Sequence, residues 1–312
     1  MEIADRSLMR KSLWLLLIVI LPAPLALFPQ QPKYQARVNL VSLDVEVLDE
    51  FDNPVFGLTK EKFVVKENGR RMEISNFAWL ADRPISLAFV LDTSAISAEK
   101  LVTFKRFIRA LAYDLARTDE LCLYSFDARD AYLELGLTPR RPDLEDALDN
   151  VAVPSKGSGG ILAELFRPEP PIGLAVDRAL FQLRKAGNAK RAVLLISNRF
   201  RGLGPATVEH IQESGCTLLT LGSGGKAAML VTLGGDWISK QALMKQSGGR
   251  QFSADAGNME AVCRAIAFCL KNYYALGYLT EITENEKKPR RAEVQIPGEK
   301  YRINYRRTYV VK

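Results

Sequence analysis

The chain is poor in the residue types that catalysis and metal binding use most often. Its 312 residues include one histidine, His210, and four cysteines. A single histidine argues against a zinc site built on imidazoles, and it makes any Ser-His-Asp arrangement depend on one position. No Gly-x-Ser-x-Gly nucleophile elbow occurs either. The sequence offers no convergent catalytic set, so we expect a non-enzymatic protein.

The sequence also lacks a dominant charge. It carries 43 basic and 36 acidic residues, a formal net charge of +7, and 47% hydrophobic residues. This composition is that of a globular protein and excludes a disordered chain, a fibre or a polytopic membrane protein. Because both signs are spread along the whole chain, the modest positive charge predicts no nucleic-acid partner.

Residues 1–30 resemble an export signal. Three basic residues precede the apolar run Leu13–Leu21, which Pro22 and Pro24 interrupt. This order is typical of a signal peptide, and the run is too short for a comfortable transmembrane helix. No clean Ala-x-Ala cleavage site precedes Gln30, so an uncleaved anchor is the alternative. We expect an exported protein, periplasmic, envelope-associated or secreted, that contacts a membrane only through this segment if it stays uncleaved.

Export permits disulfides, but the cysteines do not form a disulfide framework. Cys122 and Cys216 lie in or beside apolar strand-like runs. Cys263 and Cys269 fall in one predicted helix, where a separation of six residues corresponds to a rise of about 9 Å, too far for a bridge. All four are predicted to be small buried hydrophobic residues.

The middle of the chain alternates apolar strands with amphipathic helices. Leu87–Leu91 is wholly apolar, as in a strand buried on both faces, and residues 99–115 repeat apolar positions every three or four residues. The same alternation continues to Tyr274. Strands and helices in this order predict a doubly wound, mostly parallel sheet, Rossmann-like in architecture, over residues 84–274.

Both flanks of that region read as antiparallel strands. Val41–Val47 alternates apolar and polar residues, Asn68-Gly69 predicts a hairpin turn, and strand patterns return at Ala292–Ile296 and Tyr301–Tyr305. We therefore expect an N-terminal β module over residues 31–83, which C-terminal strands in residues 275–312 complete. The two chain ends would build one small antiparallel module.

Val90-Leu91-Asp92-Thr93-Ser94 resembles the opening of a von Willebrand factor type A domain, in which the first strand ends in Asp-x-Ser-x-Ser. The segments Phe51–Val55, Glu67–Gly69, Ser247–Phe252 and Tyr273–Tyr278 resemble the bacterial, acidobacterial-type von Willebrand A-related proteins. The resemblance covers residues 38–310. It implies an adhesion-type protein-interaction module, whose protein partner binds at the carboxyl edge of the sheet.

The resemblance also implies a metal-ion-dependent adhesion site, in which Asp, two Ser, Thr and Asp hold a cation, usually magnesium. Asp92 and Ser94 match that pattern, but Ile96 replaces the second Ser, Ile161 the Thr and Asn198 the second Asp. Magnesium prefers octahedral oxygen ligands. The substitutions predict a degenerate site with remnant ligands Asp92, Ser94 and Asn198 and no bound cofactor. The alternative is a working, magnesium-dependent site. Without a metal, Asp92 and Ser94 would cap a helix or stabilise a loop.

Overall fold

The structure is a computed structural model that describes residues 37–94, 96–153, 171–223, 238–255, 257–282 and 289–310. These residues belong to one compact unit, Ala36–Lys312. The predicted export segment, residues 1–30, and the predicted site residue Ile161 lie outside the described residues. The boundaries drawn at residues 84 and 274 stay predictions.

The central element is a six-stranded, mostly parallel sheet, and the predicted fold class is confirmed. The strand order is β12-β10-β8-β5-β6-β7, and only β7 runs antiparallel, against β6. The strands are β5 (Ile85–Asp92), β6 (Glu120–Phe126), β7 (Ala131–Thr138), β8 (Lys190–Ile196), β10 (Thr217–Ser223) and β12 (Gln251–Ala254). All eight residues of β5 are buried because helices cover both faces of the sheet.

Helices form a layer on each face of this sheet. Leu87, Phe89 and Leu91 of β5 pack under α1 (Ala98–Asp114), α2 (Arg141–Asn150) and α6 (Met259–Lys271). Ala88 and Val90 face the opposite layer, which contains α3 (Ile172–Leu183), α4 (Pro205–Ser214) and α5 (Lys240–Ser247). Helix α1 begins one residue before the predicted start, because the Ser97 hydroxyl caps it by accepting a 3.2 Å hydrogen bond from the Lys100 N–H.

The two chain ends build antiparallel sheets together, as the fold prediction stated. One sheet has the order β15-β1-β13-β4 and contains β1 (Arg37–Leu48), β4 (Ile74–Leu80), β13 (Tyr273–Ile282) and β15 (Arg302–Asn304). The other has the order β16-β14-β2-β3 and contains β2 (Val64–Glu67), β3 (Arg70–Met72), β14 (Arg290–Gln295) and β16 (Thr308–Tyr309). A short 3-10 helix, Lys60–Lys62, precedes β2, and β9 (Gly202–Leu203) pairs with β11 (Ile238–Ser239) beside the central sheet.

A single core joins these antiparallel sheets. Val41, Leu43 and Val45 of β1 pack with Val65 and Val294 of the second sheet. Buried polar groups lie in the same module: the Glu67 carboxylate accepts hydrogen bonds from Thr280 and Tyr309, and it pairs with Arg290 at 3.2 Å. Arg290 belongs to the basic run Lys287-Lys288-Pro289-Arg290-Arg291, yet its side chain is buried against Glu67.

The four cysteines are free, and Cys122, Cys216 and Cys263 are buried. Burial raises the pKa of the Cys122 thiol to about 12, so this side chain stays protonated and behaves as a small apolar group. The burial predicted for all four cysteines is confirmed for these three, whereas Cys269 is only partly buried.

Candidate functional site

The candidate site lies at the carboxyl edge of the central sheet, where open α/β sheets bind their ligands. Strands β5, β6 and β8 are neighbours there and end at Asp92, Phe126 and Ile196. Thr93 joins the first two strand ends, since its backbone N–H and its hydroxyl both donate to the Phe126 carbonyl, at 2.9 and 3.0 Å. The loop after β5 is therefore held at a defined position over the sheet.

The Asp92 carboxylate is 1% exposed and accepts three hydrogen bonds from the protein. Its Oδ1 accepts from the Ser94 N–H at 2.9 Å and from the Ser94 hydroxyl at 2.5 Å. Its Oδ2 accepts from the Ser197 hydroxyl at 2.6 Å. Hydrogen bonds to an ionised acceptor are the strong ones, and they offset the cost of burying its charge. Asp92 thus ties the loop after β5 to the loop after β8.

The loop after β8 contributes Ser197 to this arrangement. The Ser197 N–H donates to the Leu221 carbonyl at 3.0 Å, and its hydroxyl accepts from the Arg199 N–H at 3.1 Å. Asn198 is exposed, and its Oδ1 lies 3.5 Å from where a Cβ on Gly222 would stand. The spacing of the family motif identifies Asn198 as a candidate ligand. The same spacing does not identify Ser197, one residue earlier, although Ser197 is the residue that contacts Asp92.

Ile96 is a core residue. Its side chain is 7% exposed and belongs to the apolar cluster formed with Leu91, Leu101 and Phe104. An aliphatic side chain has no lone pair to offer a cation, so this position contributes packing to the layer under α1. The loop that carries Ile161 lies outside the described residues.

A second carboxylate, Asp127, follows β6 directly and is also buried. Its Oδ1 accepts from the N–H groups of Arg129 and Asp130, at 2.7 and 3.1 Å. Asp127 is not among the predicted site residues, although it, like Asp92, is an aspartate at the carboxyl end of a buried strand. Within the described ranges, no group of three or more His, Cys, Asp or Glu side chains is arranged to hold a metal ion.

Three exposed arginines, Arg129, Arg199 and Arg201, lie on the loops at this edge. Their backbones are fixed: the Arg129 and Arg199 N–H groups donate to Asp127 and Ser197, and the Arg201 carbonyl accepts from the Lys240 N–H at 2.8 Å. A guanidinium presents donors in a planar fork that matches a carboxylate. This edge therefore carries exposed arginines together with buried carboxylates that already accept hydrogen bonds from the protein.

His210 lies on α4 and pairs with α3. Its Nδ1 is 3.0 Å from Asp177 Oδ1, while the Thr207 hydroxyl donates to Asp177 Oδ2 at 3.1 Å. In a catalytic triad the imidazole lies between the hydroxyl and the carboxylate. Here the carboxylate lies between the other two, so His210 is not placed to take a proton from Thr207.

Comparison with known proteins gives structural likenesses only. No protein-family profile and no curated protein matches the chain. Similar solved structures include BatB of Bacteroides thetaiotaomicron, 19% identical, with a TM-score of 0.42 over 60% of this chain and 98% of that one. A von Willebrand factor type A protein of Catenulispora acidiphila is 11% identical, with a TM-score of 0.43 over 79% and 75%. Proximal thread matrix protein 1 of the mussel byssus, solved with a zinc-occupied MIDAS motif, is 15% identical, with a TM-score of 0.44 over 65% and 50%. These values carry no inference about ligands, and the fold described above rests on this chain's own strand order and burial.

Proposed function

We propose that this chain is an exported, non-enzymatic protein-interaction module of the von Willebrand A type. Its partner binds at the carboxyl edge of the central sheet, and its metal-ion-dependent adhesion site is degenerate. The observation that carries the proposal is the Asp92 carboxylate, whose two oxygens already accept hydrogen bonds from Ser94 and Ser197.

The donor set around Asp92 is a poor fit for magnesium. This ion needs about six oxygen ligands in near-octahedral geometry and gives up water reluctantly. Asp92 supplies one carboxylate that is turned into the protein, and Ile96 supplies no oxygen. Asp127 is a further buried carboxylate at this edge, and backbone N–H groups occupy its Oδ1. The working-site alternative would require these hydrogen bonds to be exchanged for metal bonds.

In the absence of a metal, the exposed arginines supply the positive charge for a partner. Arg129 and Arg199 project from loops that are fixed by their own backbone hydrogen bonds. Bidentate pairing with a carboxylate combines charge with geometric selection, which is the role that a bound cation has in metal-dependent adhesion. The partner proposed here therefore presents an acidic side chain at the contact.

Thermal unfolding in magnesium or manganese, compared with chelator, tests the metal component. The degenerate site predicts no shift in the midpoint. A working site at one hundred times its dissociation constant would stabilise the fold by about 2.7 kcal/mol. Stabilisation of that size in the natural chain, abolished by Asp92→Asn, would overturn the degenerate-site reading in favour of a magnesium-dependent module.

A gain-of-function variant sharpens this test. The triple change Ile96→Ser, Ile161→Thr and Asn198→Asp restores the family's oxygen donors, so it should create a magnesium-dependent rise in the unfolding midpoint. The matched control is the same triple change combined with Asp92→Asn, which should not respond. Equal responses in both variants would mean that magnesium acts elsewhere on the protein.

Partner binding is tested by crosslinking the full chain in cell-envelope extract. Arg199→Glu should lose the crosslinked partner, because the substitution reverses the charge at the proposed contact. Arg264→Glu is the control, because Arg264 is an exposed residue of α6, away from the carboxyl-edge loops. Loss in both variants, or in neither, would contradict a contact at this edge.

Export is the remaining component of the proposal. No helix in the described part of the chain is long and apolar enough to cross a membrane. Support for export comes from the order of basic and apolar residues in 1–30. A reporter enzyme that is active only outside the cytoplasm, fused after Lys312, should be active with residues 1–30 present and inactive without them. Activity in both forms would contradict export by this segment.

A further inference from the structure

A polar cavity lies at the opposite, amino edge of the parallel strands. Its volume is about 50 Å³, and it separates the central sheet from the outer face of β1. Space of this size holds a few water molecules or one small ion. Asp44 and Glu46 line it from β1, Lys190 and Arg250 line it from the start of β8 and the approach to β12, and Arg306 lines it from the C-terminal segment.

The charges around this cavity do not balance. Lys190 Nζ lies 2.6 Å from Asp44 Oδ2, and Arg250 Nη1 lies 2.8 Å from Glu46 Oε1. The second Glu46 oxygen accepts from the Asn304 amide at 2.8 Å. Both carboxylates are therefore committed to partners, and the guanidinium of Arg306 is left over as a third cation.

Within the described ranges, Arg306 has no ion pair or side-chain hydrogen bond, and its guanidinium lies 5.9 Å from the centre of the Tyr309 ring. Its pKa is lowered because burial removes water from the cation, although Asp44 opposes that effect. Arg306 is only partly exposed, so its guanidinium loses part of its hydration without a carboxylate in contact, and a site of this kind favours a compensating anion.

The surrounding backbone is shaped to hold Arg306 at the cavity. Gly215 and Gly248 end α4 and α5 in the left-handed conformation, with φ of 69° and 70°. A Cβ at Gly215 would lie 2.8 Å from Arg306 Nη1, and a Cβ at Gly248 would lie 2.6 Å from the Arg306 backbone nitrogen. Both glycines thus satisfy a turn geometry and leave space for the arginine.

We propose that this cavity binds one small monovalent anion, such as chloride or formate, between Arg306, Lys190 and Arg250. One negative charge would neutralise the excess positive charge of the lining. Tyr273 also lines the cavity, and burial raises the pKa of its phenol to about 12, so its hydroxyl remains protonated. The anion would tie the C-terminal segment to the α/β region through Arg306. In the alternative account, only water fills the cavity, and the C-terminal carbonyl groups of α4 and α5 offset the charge of Arg306.

Thermal unfolding of the full chain in sodium chloride, compared with sodium gluconate at equal ionic strength, separates these accounts. Gluconate is too large for the cavity. The unfolding midpoint should rise with chloride and then follow the binding factor 1 + [L]/Kd. Arg306→Gln should remove this chloride-specific rise, while the exposed control Arg264→Gln should keep it. A rise of equal size in Arg306→Gln, or no chloride-specific rise in the natural chain, would overturn the proposal.

Crystals of the natural chain grown in bromide provide a test that needs no variant, which matters if Arg306→Gln fails to fold. Bromide scatters anomalously, so a bound ion gives a peak of its own. The proposal expects this peak beside the Arg306 guanidinium. Only water at that position, at a bromide concentration that saturates the thermal effect, means hydration alone and refutes the anion site.

Discussion

Ser197→Ala probes the hydrogen bonds that replace a metal in the proposed function. The Ser197 hydroxyl is buried and donates to Asp92 Oδ2 at 2.6 Å. Removing it leaves a buried carboxylate with one fewer donor. A hydrogen bond to a charged group contributes about 1.5–3 kcal/mol, against about 0.5–1.5 kcal/mol for a neutral pair. We expect Ser197→Ala to lower the free energy of unfolding by about 1.5–3 kcal/mol in urea titrations, and added magnesium not to restore it.

Ser247→Ala is the matched control for this prediction. Ser247 is 5% exposed and Ser197 is 4% exposed, so the two substitutions remove the same hydroxyl from similar burial. The Ser247 hydroxyl donates to the neutral Leu243 carbonyl at 2.9 Å inside α5. The cost of Ser247→Ala should stay below about 1.5 kcal/mol. If Ser197→Ala cost no more than this control, or if magnesium restored its stability, Asp92 would not be the internally bonded carboxylate described here.

Three further perturbations test other parts of the fold. Asp119→Asn should lower the free energy of unfolding by about 3–5 kcal/mol in urea titrations. The buried Lys271 ammonium, which lies 3.1 Å from the Asp119 carboxylate, would lose its counter-charge. A loss below about 1 kcal/mol would mean that water reaches the pair. Gly248→Ala should lower the thermal midpoint, because a Cβ there requires left-handed backbone at about 1–2 kcal/mol and contacts the Arg306 backbone; an unchanged midpoint would contradict that geometry. Deleting residues 292–312 removes strands that pair with β1 and β2, so amide exchange in residues 38–77 should accelerate; unchanged exchange would contradict the shared module.

Local patterns predicted the central sheet and the helix α1 closely. The expected strand at Leu87–Leu91 lies inside β5, and the helix expected over residues 99–115 is Ala98–Asp114. β5 is buried along its whole length, and α1 buries one face. Their apolar periodicity therefore carries most of the information that fixes them.

Where the predicted ends of helices and strands are wrong, pairing between distant strands sets the observed ends. The apolar spacing of residues 258–274 predicts a helix that reaches Tyr274, but the helix ends at Lys271, because Tyr273 and Tyr274 pair with Leu80 and Trp79 in the antiparallel sheet. The pattern of Met72–Phe77, after the Asn68-Gly69 turn, predicts one strand that pairs back. The stretch instead divides, since β3 pairs with β2 and β4 pairs with β13. A tyrosine fits either a helix face or a strand, and local sequence does not choose between them.

The polar face of β1 shows that a site is also hard to predict when distant parts of the chain build it. Alternation predicts Ser42, Asp44 and Glu46 on one face, and the structure places that face against the α/β region around the polar cavity. The partners Lys190 and Arg250 come from positions more than 140 residues away in the chain. No spacing rule connects such residues, whereas the Asp92 motif is contiguous and could be recognised before the fold was known.

Ile96 links the proposed loss of the metal site to the stability of the fold. In the resembled family this position carries a ligand hydroxyl, and here its side chain is buried in the core under α1. Truncating a buried Ile to Ala commonly costs about 2–5 kcal/mol, and Ser is similar to Ala in size. The change Ile96→Ser would therefore lose packing before it gained a ligand, and magnesium binding would first have to offset that loss. In the proposed degenerate site, Ile96 therefore both withholds an oxygen donor and supplies core packing that favours the metal-free form.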